Sequence, residues 1–125
     1  MKKNIFSGLR SSICKVPDVQ HAKEWYQSAL GIKPYFDEPF YVGFNVGGYE
    51  LGLDPSGYDP GQQKSNSTAY WGVEDIEKVY DMLIQAGASA IQSPQDVGGD
   101  IMIAVVADPW GNQIGLIYNP HFKAE

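Results

Sequence analysis

One carboxylate stands where proton transfer or charge pairing could be done: Glu50, in the run Tyr49-Glu50-Leu51-Gly52-Leu53. Strand alternation puts Leu51 and Leu53 on one face and Glu50 on the other. A carboxylate there can serve as a general base or as the counter-ion of a basic ligand. Burial in a partly apolar cleft would raise its pKa toward neutrality. The other reactive groups are scattered. His21 falls in the first turn of a helix, facing solvent, and His121 lies in the C-terminal tail. Parity puts Cys14 on the helix-facing side of its strand, a core position rather than that of a nucleophile. Lys15 points to the edge of the open face. No Ser-His-Asp or Cys-His set falls on matching strands, and neither phosphate-loop nor zinc-knuckle spacing occurs.

The elements that carry these residues are legible from punctuation and period. Apolar residues run to Asp108, break at Asp108-Pro109-Trp110-Gly111-Asn112 and resume at Ile114, which reads as strand, turn, strand. Gly115 sits mid-strand, a mark of a bulge or of close approach by another group. Residues 5–16 read as extended. Asp18 caps a helix whose apolar face is Val19, Ala22, Tyr26 and Ala29, stopped by Gly31. Segments 32–37, 40–46 and 49–53 read as strands, the last two joined through Gly47-Gly48. Residues 54–66 form a linker.

The order then repeats. A strand at 67–73 leads to Asp75 and a second helix with Ile76, Val79, Leu83 and Ala86, each 57 residues after its counterpart. Gly87 ends it, and strands follow at 88–92, 101–107 and 113–118. Such an internal repeat governs the fold. The chain reads as α+β, a single domain of two modules at 5–54 and 67–119, each a sheet with one face covered by a helix. The uncovered faces would enclose a cleft suited to a small molecule.

Composition agrees. A net charge of −6 argues against a nucleic-acid partner. A lone cysteine permits a reducing, cytoplasmic setting. Lys2 and Lys3 are followed by too little apolar sequence for a signal peptide to be expected, and no run reaches membrane-spanning length.

The whole arrangement resembles the vicinal oxygen chelate superfamily: glyoxalase I, bleomycin-resistance proteins, extradiol dioxygenases and fosfomycin-resistance enzymes. Asp108-Pro109-Trp110-Gly111-Asn112-Gln113-Ile114 is similar to its D-P-x-G-N-x-I turn. Val16-Pro17-Asp18-Val19 and Val73-Glu74-Asp75-Ile76 resemble its strand-to-helix junctions. Trp25-Tyr26-Gln27-Ser28-Ala29-Leu30-Gly31 resembles its helix end. The resemblance implies paired βαβββ modules and four metal-holding positions, which fall on Ser11, Glu50, Thr68 and Gly115. Of these only Glu50 is a competent ligand, whereas a transition-metal site needs about three. The expectation is therefore no metal and no cofactor.

Parity with those positions assigns Ile13, Tyr70, Gln113 and Ile117 to the cleft, with Phe44 beside them, and Gly115 leaves room there. Tyr35, Phe36, Phe40, Tyr41, Tyr49 and Trp71 are read as core or dimer contacts. The resemblance implies a metal-free homodimer of the bleomycin-resistance type. It would bind an aromatic or amphipathic compound through Glu50 and the stacking surface of Tyr70. The alternative is a lyase or isomerase with Glu50 as base.

Overall fold

A computed structural model describes residues 9–62 and 68–122. The expected extended stretch at 5–8 and the expected linker and strand residues 63–67 lie outside the described residues. The chain divides into two compact units, the first ending at Tyr58 and the second beginning at Asp59.

In the first unit β1 (Ser11–Lys15) leads to α1 (Val19–Leu30), then β2 (Phe36–Glu38), β3 (Tyr41–Val46) and β4 (Tyr49–Asp54). The sheet order is β1-β4-β3-β2. β1 runs parallel to β4, while β3 is antiparallel to both of its neighbours. The parallel pairing requires a crossover, and α1 supplies it. Asp18 starts that helix by accepting hydrogen bonds from the backbone N–H groups of Gln20 and His21 at 3.1 and 3.2 Å. Gly31 stops it with φ +72°, its N–H donating to the Gln27 carbonyl. Val19, Ala22 and Tyr26 are buried on the inner face of α1. Cys14, Val16, Val42, Phe44, Leu51 and Leu53 are buried with them. The Cys14 thiol lies 3.8 Å from the Tyr26 hydroxyl, at the core position that parity assigned it.

The second unit repeats the plan with β5 (Tyr70–Gly72), α2 (Ile76–Gln85), β6 (Ser89–Asp96), β7 (Met102–Ala107) and β8 (Gln113–Tyr118). Its order, β5-β8-β7-β6, is that of the first sheet. Asp75 caps α2 by accepting from the Lys78 N–H at 3.2 Å. Ile76 and Leu83 are buried. Ala86, expected on the apolar face, is exposed because the helix closes at Gln85 and Ala86 is already the cap.

Several boundaries differ from expectation, among them that of β5, which spans Tyr70–Gly72 where 67–73 was expected. β2 is confined to Phe36–Glu38 instead of 32–37. β6 runs to Asp96 through Pro94, four residues beyond the expected end at Gln92, where its antiparallel register also breaks. Proline is tolerated there because β6 is an edge strand with register shifts on both sides of Gln92.

The turn between β7 and β8 is organised by one buried carboxylate. Asp108, 2% exposed, accepts from the N–H groups of Trp110 and Asn112 and from the Asn112 side-chain amide at 2.8–3.0 Å. Gly111 supplies the positive φ of +92°.

Candidate ligand site around Glu50

The β3–β4 hairpin fixes which residues share a face. Its register pairs Phe44 with Leu51, Asn45 with Glu50 and Gly43 with Gly52. Leu51 faces α1, so its partner Phe44 does too: Phe44 is fully buried, with its ring 6.5 Å from that of Tyr26. This corrects the expectation that Phe44 belongs to the cleft. Glu50 lies on the other face with Gly43, Asn45 and Gly52.

On that face the paired glycines make a low floor. A Cβ on Gly43 would come within 2.7 Å of Glu50 Oε2 and 2.9 Å of the Tyr35 ring, and one on Gly52 would collide with the Tyr41 phenol. The Glu50 carboxylate and two phenols fill the space that side chains on these glycines would need. Three hydroxyls converge on the carboxylate. Ser11, register partner of Glu50 on β1, donates to Oε1 at 2.7 Å, and Tyr41 donates to the same oxygen at 2.6 Å. Tyr35 donates to Oε2 at 2.5 Å.

Electrostatics follow from this geometry. Desolvation is the largest single influence on Glu50 and acts to raise its pKa. The hydrogen bonds from Tyr35, Tyr41 and Ser11 together outweigh it and leave the carboxyl below its ordinary value of 4.5. The expected rise toward neutrality is thus reversed: the donors stabilise the charged form more than the surroundings penalise it. The tyrosines respond in the opposite sense. Burial, and then the hydrogen bond to Glu50, raise Tyr41, while the hydrogen bond to Glu50 leads in raising Tyr35. Glu50 is a held anion with neutral phenols around it.

Beside it is an open pocket of about 270 Å³ lined by Arg10, Ser11, Tyr35, Asn45, Gly48, Tyr49 and Glu50. Ile13, 54% exposed, lies two residues along β1 and pairs with Gly52. Lys15, expected at the edge of this face, forms an ion pair with Asp54 at 2.7 Å.

In the second unit, the Thr68 hydroxyl donates to the Gln113 amide oxygen at 2.9 Å, as Ser11 does to Glu50 in the first. The register of β5 on β8 pairs Tyr70 with Gly115 and Gly72 with Ile117. Gly115 leaves no room: a Cβ there would meet the Tyr70 ring and the Ala69 carbonyl, each at 2.7 Å. Tyr70 covers the glycine and is 41% exposed. Ile117 is half-buried and Gln113 exposed.

Sequence reasoning placed Ser11, Ile13 and Glu50 together and missed Tyr35 and Tyr41. Tyr41 was within reach, because the two-residue turn at Gly47-Gly48 fixes a register that puts residue 41 on the face of Glu50. Tyr35 carried no such signal, since it lies just outside the short strand β2.

The family model described as Glyoxalase/Bleomycin resistance protein/Dioxygenase superfamily matches residues 14–116. The chain belongs to this superfamily. Solved structures agree on the fold. A glyoxalase-related enzyme from Fulvimarina pelagi superposes with a TM-score of 0.78 at 15% identity, covering 96% of this chain and 94% of that one. A superfamily member from Sphaerobacter thermophilus gives 0.68 at 23% identity, with 93% and 100% covered. A bleomycin resistance determinant encoded on the transposon Tn5 gives 0.69 at 20% identity, with 91% and 99% covered. At these identities the likeness speaks for the fold. No curated protein matches the sequence.

The divalent metal held by enzymes of the superfamily does not fit the residues at the four corresponding positions. Both Glu50 oxygens already accept from hydroxyls. The Thr68 hydroxyl is committed to Gln113, and Gly115 offers no donor and lies under Tyr70. Among the described residues no group of three or more His, Cys, Asp or Glu converges. Among the described residues, no helix is long and apolar enough to cross a membrane.

Proposed function

We propose that the chain is a metal-free, small-molecule-binding member of the superfamily that takes an aromatic or amphipathic compound on the open face of its first sheet. The observation that carries this reading is the Glu50 carboxylate, kept charged by Ser11, Tyr35 and Tyr41 at the side of an open pocket. A carboxylate has about four acceptor sites. Three hydroxyls occupy three of them, which leaves one on Oε2, and the hydroxyl oxygens keep lone pairs of their own. The pocket therefore presents a fixed anion and hydrogen-bond acceptors beside the Tyr35 ring, with the exposed Ile13 two residues along β1 from Ser11. That combination holds a polar head and an apolar body. A lyase or isomerase with Glu50 as base needs a carboxylate that takes up a proton near neutrality, and its lowered pKa works against that role.

The test is a thermal-shift screen of aromatic amphiphiles on the native chain and on Glu50→Gln, since a ligand selective for the folded state raises its stability by mass action. Compounds that stabilise the native chain should stabilise the variant much less. Equal stabilisation of both proteins by every hit would remove Glu50 from the site.

A further inference from the structure

We infer that the open face of the first sheet takes an organic cation, its alkylated ammonium centre set against the Glu50 carboxylate and the aromatic rings beside it. The inference rests on the binding reading above and deepens it to one ligand charge.

The register places the parts. Phe36 pairs with Gly43 and Glu38 with Tyr41, so Phe36, Glu38 and Tyr41 share the face of Glu50. The Phe36 ring centre lies 6.5 Å from that of Tyr35, 6.2 Å from that of Tyr41 and 6.0 Å from that of Phe40. Two of these four rings carry the phenols that donate to Glu50. The carboxylate and the rings therefore form one continuous surface. It is open, with Tyr35 64% and Phe40 66% exposed.

Charge decides what fits there. An aromatic face attracts a cation that comes within about 6 Å of the ring centre. A phenol that donates to a carboxylate is polarised by it, which strengthens that attraction. An anion is repelled by Glu50, by Glu38 and by the ring faces alike, and a neutral compound gains only contact area. Hydrogen bonding narrows the cation. Ser11, Tyr35 and Tyr41 take three of the about four acceptor sites on Glu50, which leaves its charge to offer and little capacity for further donors. A primary ammonium brings three donors, whereas an alkylated one brings charge spread over methyl groups. Arg10 also lines the pocket, and its guanidinium donates to the Leu9 carbonyl at 3.4 Å. It precedes β1, across β4 from the rings on β2 and β3, so the cation belongs on the Tyr35 side of Glu50.

Isothermal titration of the whole chain with benzyltrimethylammonium, benzylamine, benzyl alcohol and phenylacetate tests this. The four share one ring and differ in charge and donors. Benzyltrimethylammonium should bind at least about tenfold more tightly than the alcohol or the anion, and no more weakly than benzylamine. Glu50→Gln should erase its preference over the alcohol. Tyr35→Leu should weaken it by about threefold or more, and Tyr35→Phe, which keeps the ring, by less. Near-ultraviolet circular dichroism confirms that the variants fold. Equal binding of the alcohol and the cation by the native chain would overturn the cation, and tighter binding of benzylamine would overturn the alkylated centre; neither comparison needs a variant. A chain that sediments as a dimer and becomes monomeric on Phe40→Asp would show that a second copy covers the rings, and the inference would fall. If none of the four binds while other compounds in the thermal screen depend on Glu50, this inference falls and the binding reading stands. If nothing binds in either experiment, both fall.

Discussion

The phenol of Tyr41 occupies the space that a Cβ on Gly52 would take. The two residues lie on adjacent antiparallel strands, and the absence of a side chain at residue 52 is what lets the phenol reach Glu50 at 2.6 Å. Gly52→Ala should therefore displace the Tyr41 ring and break its bond to Glu50. The expected cost is about 1–3 kcal/mol in urea unfolding, typical of overpacking. In a Tyr41→Ala background the same substitution should cost much less, because the clash has gone. Gly72→Ala, where nothing lies within 4 Å of the added Cβ, serves as the control and should stay within about 0.5 kcal/mol of the native chain. A Gly52→Ala cost that is the same with and without the Tyr41 ring would mean the two residues do not compete for space.

The Asp108 turn should be the most sensitive point of the second unit. The buried carboxylate accepts from two backbone N–H groups and one side-chain amide within a few residues. Asp108→Ala would leave those donors without this acceptor. It should destabilise by about 1–3 kcal/mol for each donor left both buried and unpaired. Asp108→Asn, which keeps one acceptor oxygen, should be milder. Equal urea midpoints for the alanine and asparagine variants would deny the carboxylate its role in the turn.

How much of this was legible in the sequence follows from which interactions are local. The helix caps at Asp18 and Asp75, the glycine stop at Gly31 and the Asp108 turn are bonds within four residues, and their residue types announce them. The repeat of 57 residues carried the module plan. Faces followed where alternation was applied along one strand, as for Glu50 against Leu51 and Leu53. They failed where two strands had to be combined: Phe44 was set in the cleft, although the Gly47-Gly48 turn pairs it with Leu51. At a glycine, close approach was legible but the approaching group was not. Gly115 read as room for a ligand, but Tyr70 fills it. The direction of the Glu50 pKa shift was missed for the same reason. Burial can be guessed from one strand, whereas the donors that outweigh it come from three separate segments.

Alkaline titration reads the other side of the Glu50 cluster. Tyr41 is raised above its ordinary 10.0, by burial first and then by its bond to Glu50, and Tyr35 is raised chiefly by its own bond to Glu50. A tyrosine raised on folding contributes stability that is complete below the unfolded value of 10.0 and is lost as pH climbs from there through the folded value. The tyrosinate absorbance of the native chain should thus show late-titrating groups. Tyr41→Phe should remove one of them, and Glu50→Gln should shift Tyr35 back toward 10.0. An unchanged titration curve for Tyr41→Phe would show that its phenol ionises like an exposed one.

The most direct measurement is the pKa of Glu50 itself, followed by carboxyl-carbon NMR on glutamate-labelled protein and assigned by the loss of its signal in Glu50→Gln. A lowered carboxylate stabilises the fold above its unfolded value, and that contribution disappears as pH falls through the folded one. The midpoint is expected below 4.5, and it should rise when Tyr41 is replaced by Phe and one donor is lost. A native midpoint above 4.5 would contradict the hydroxyl-held anion and restore Glu50 as a candidate base.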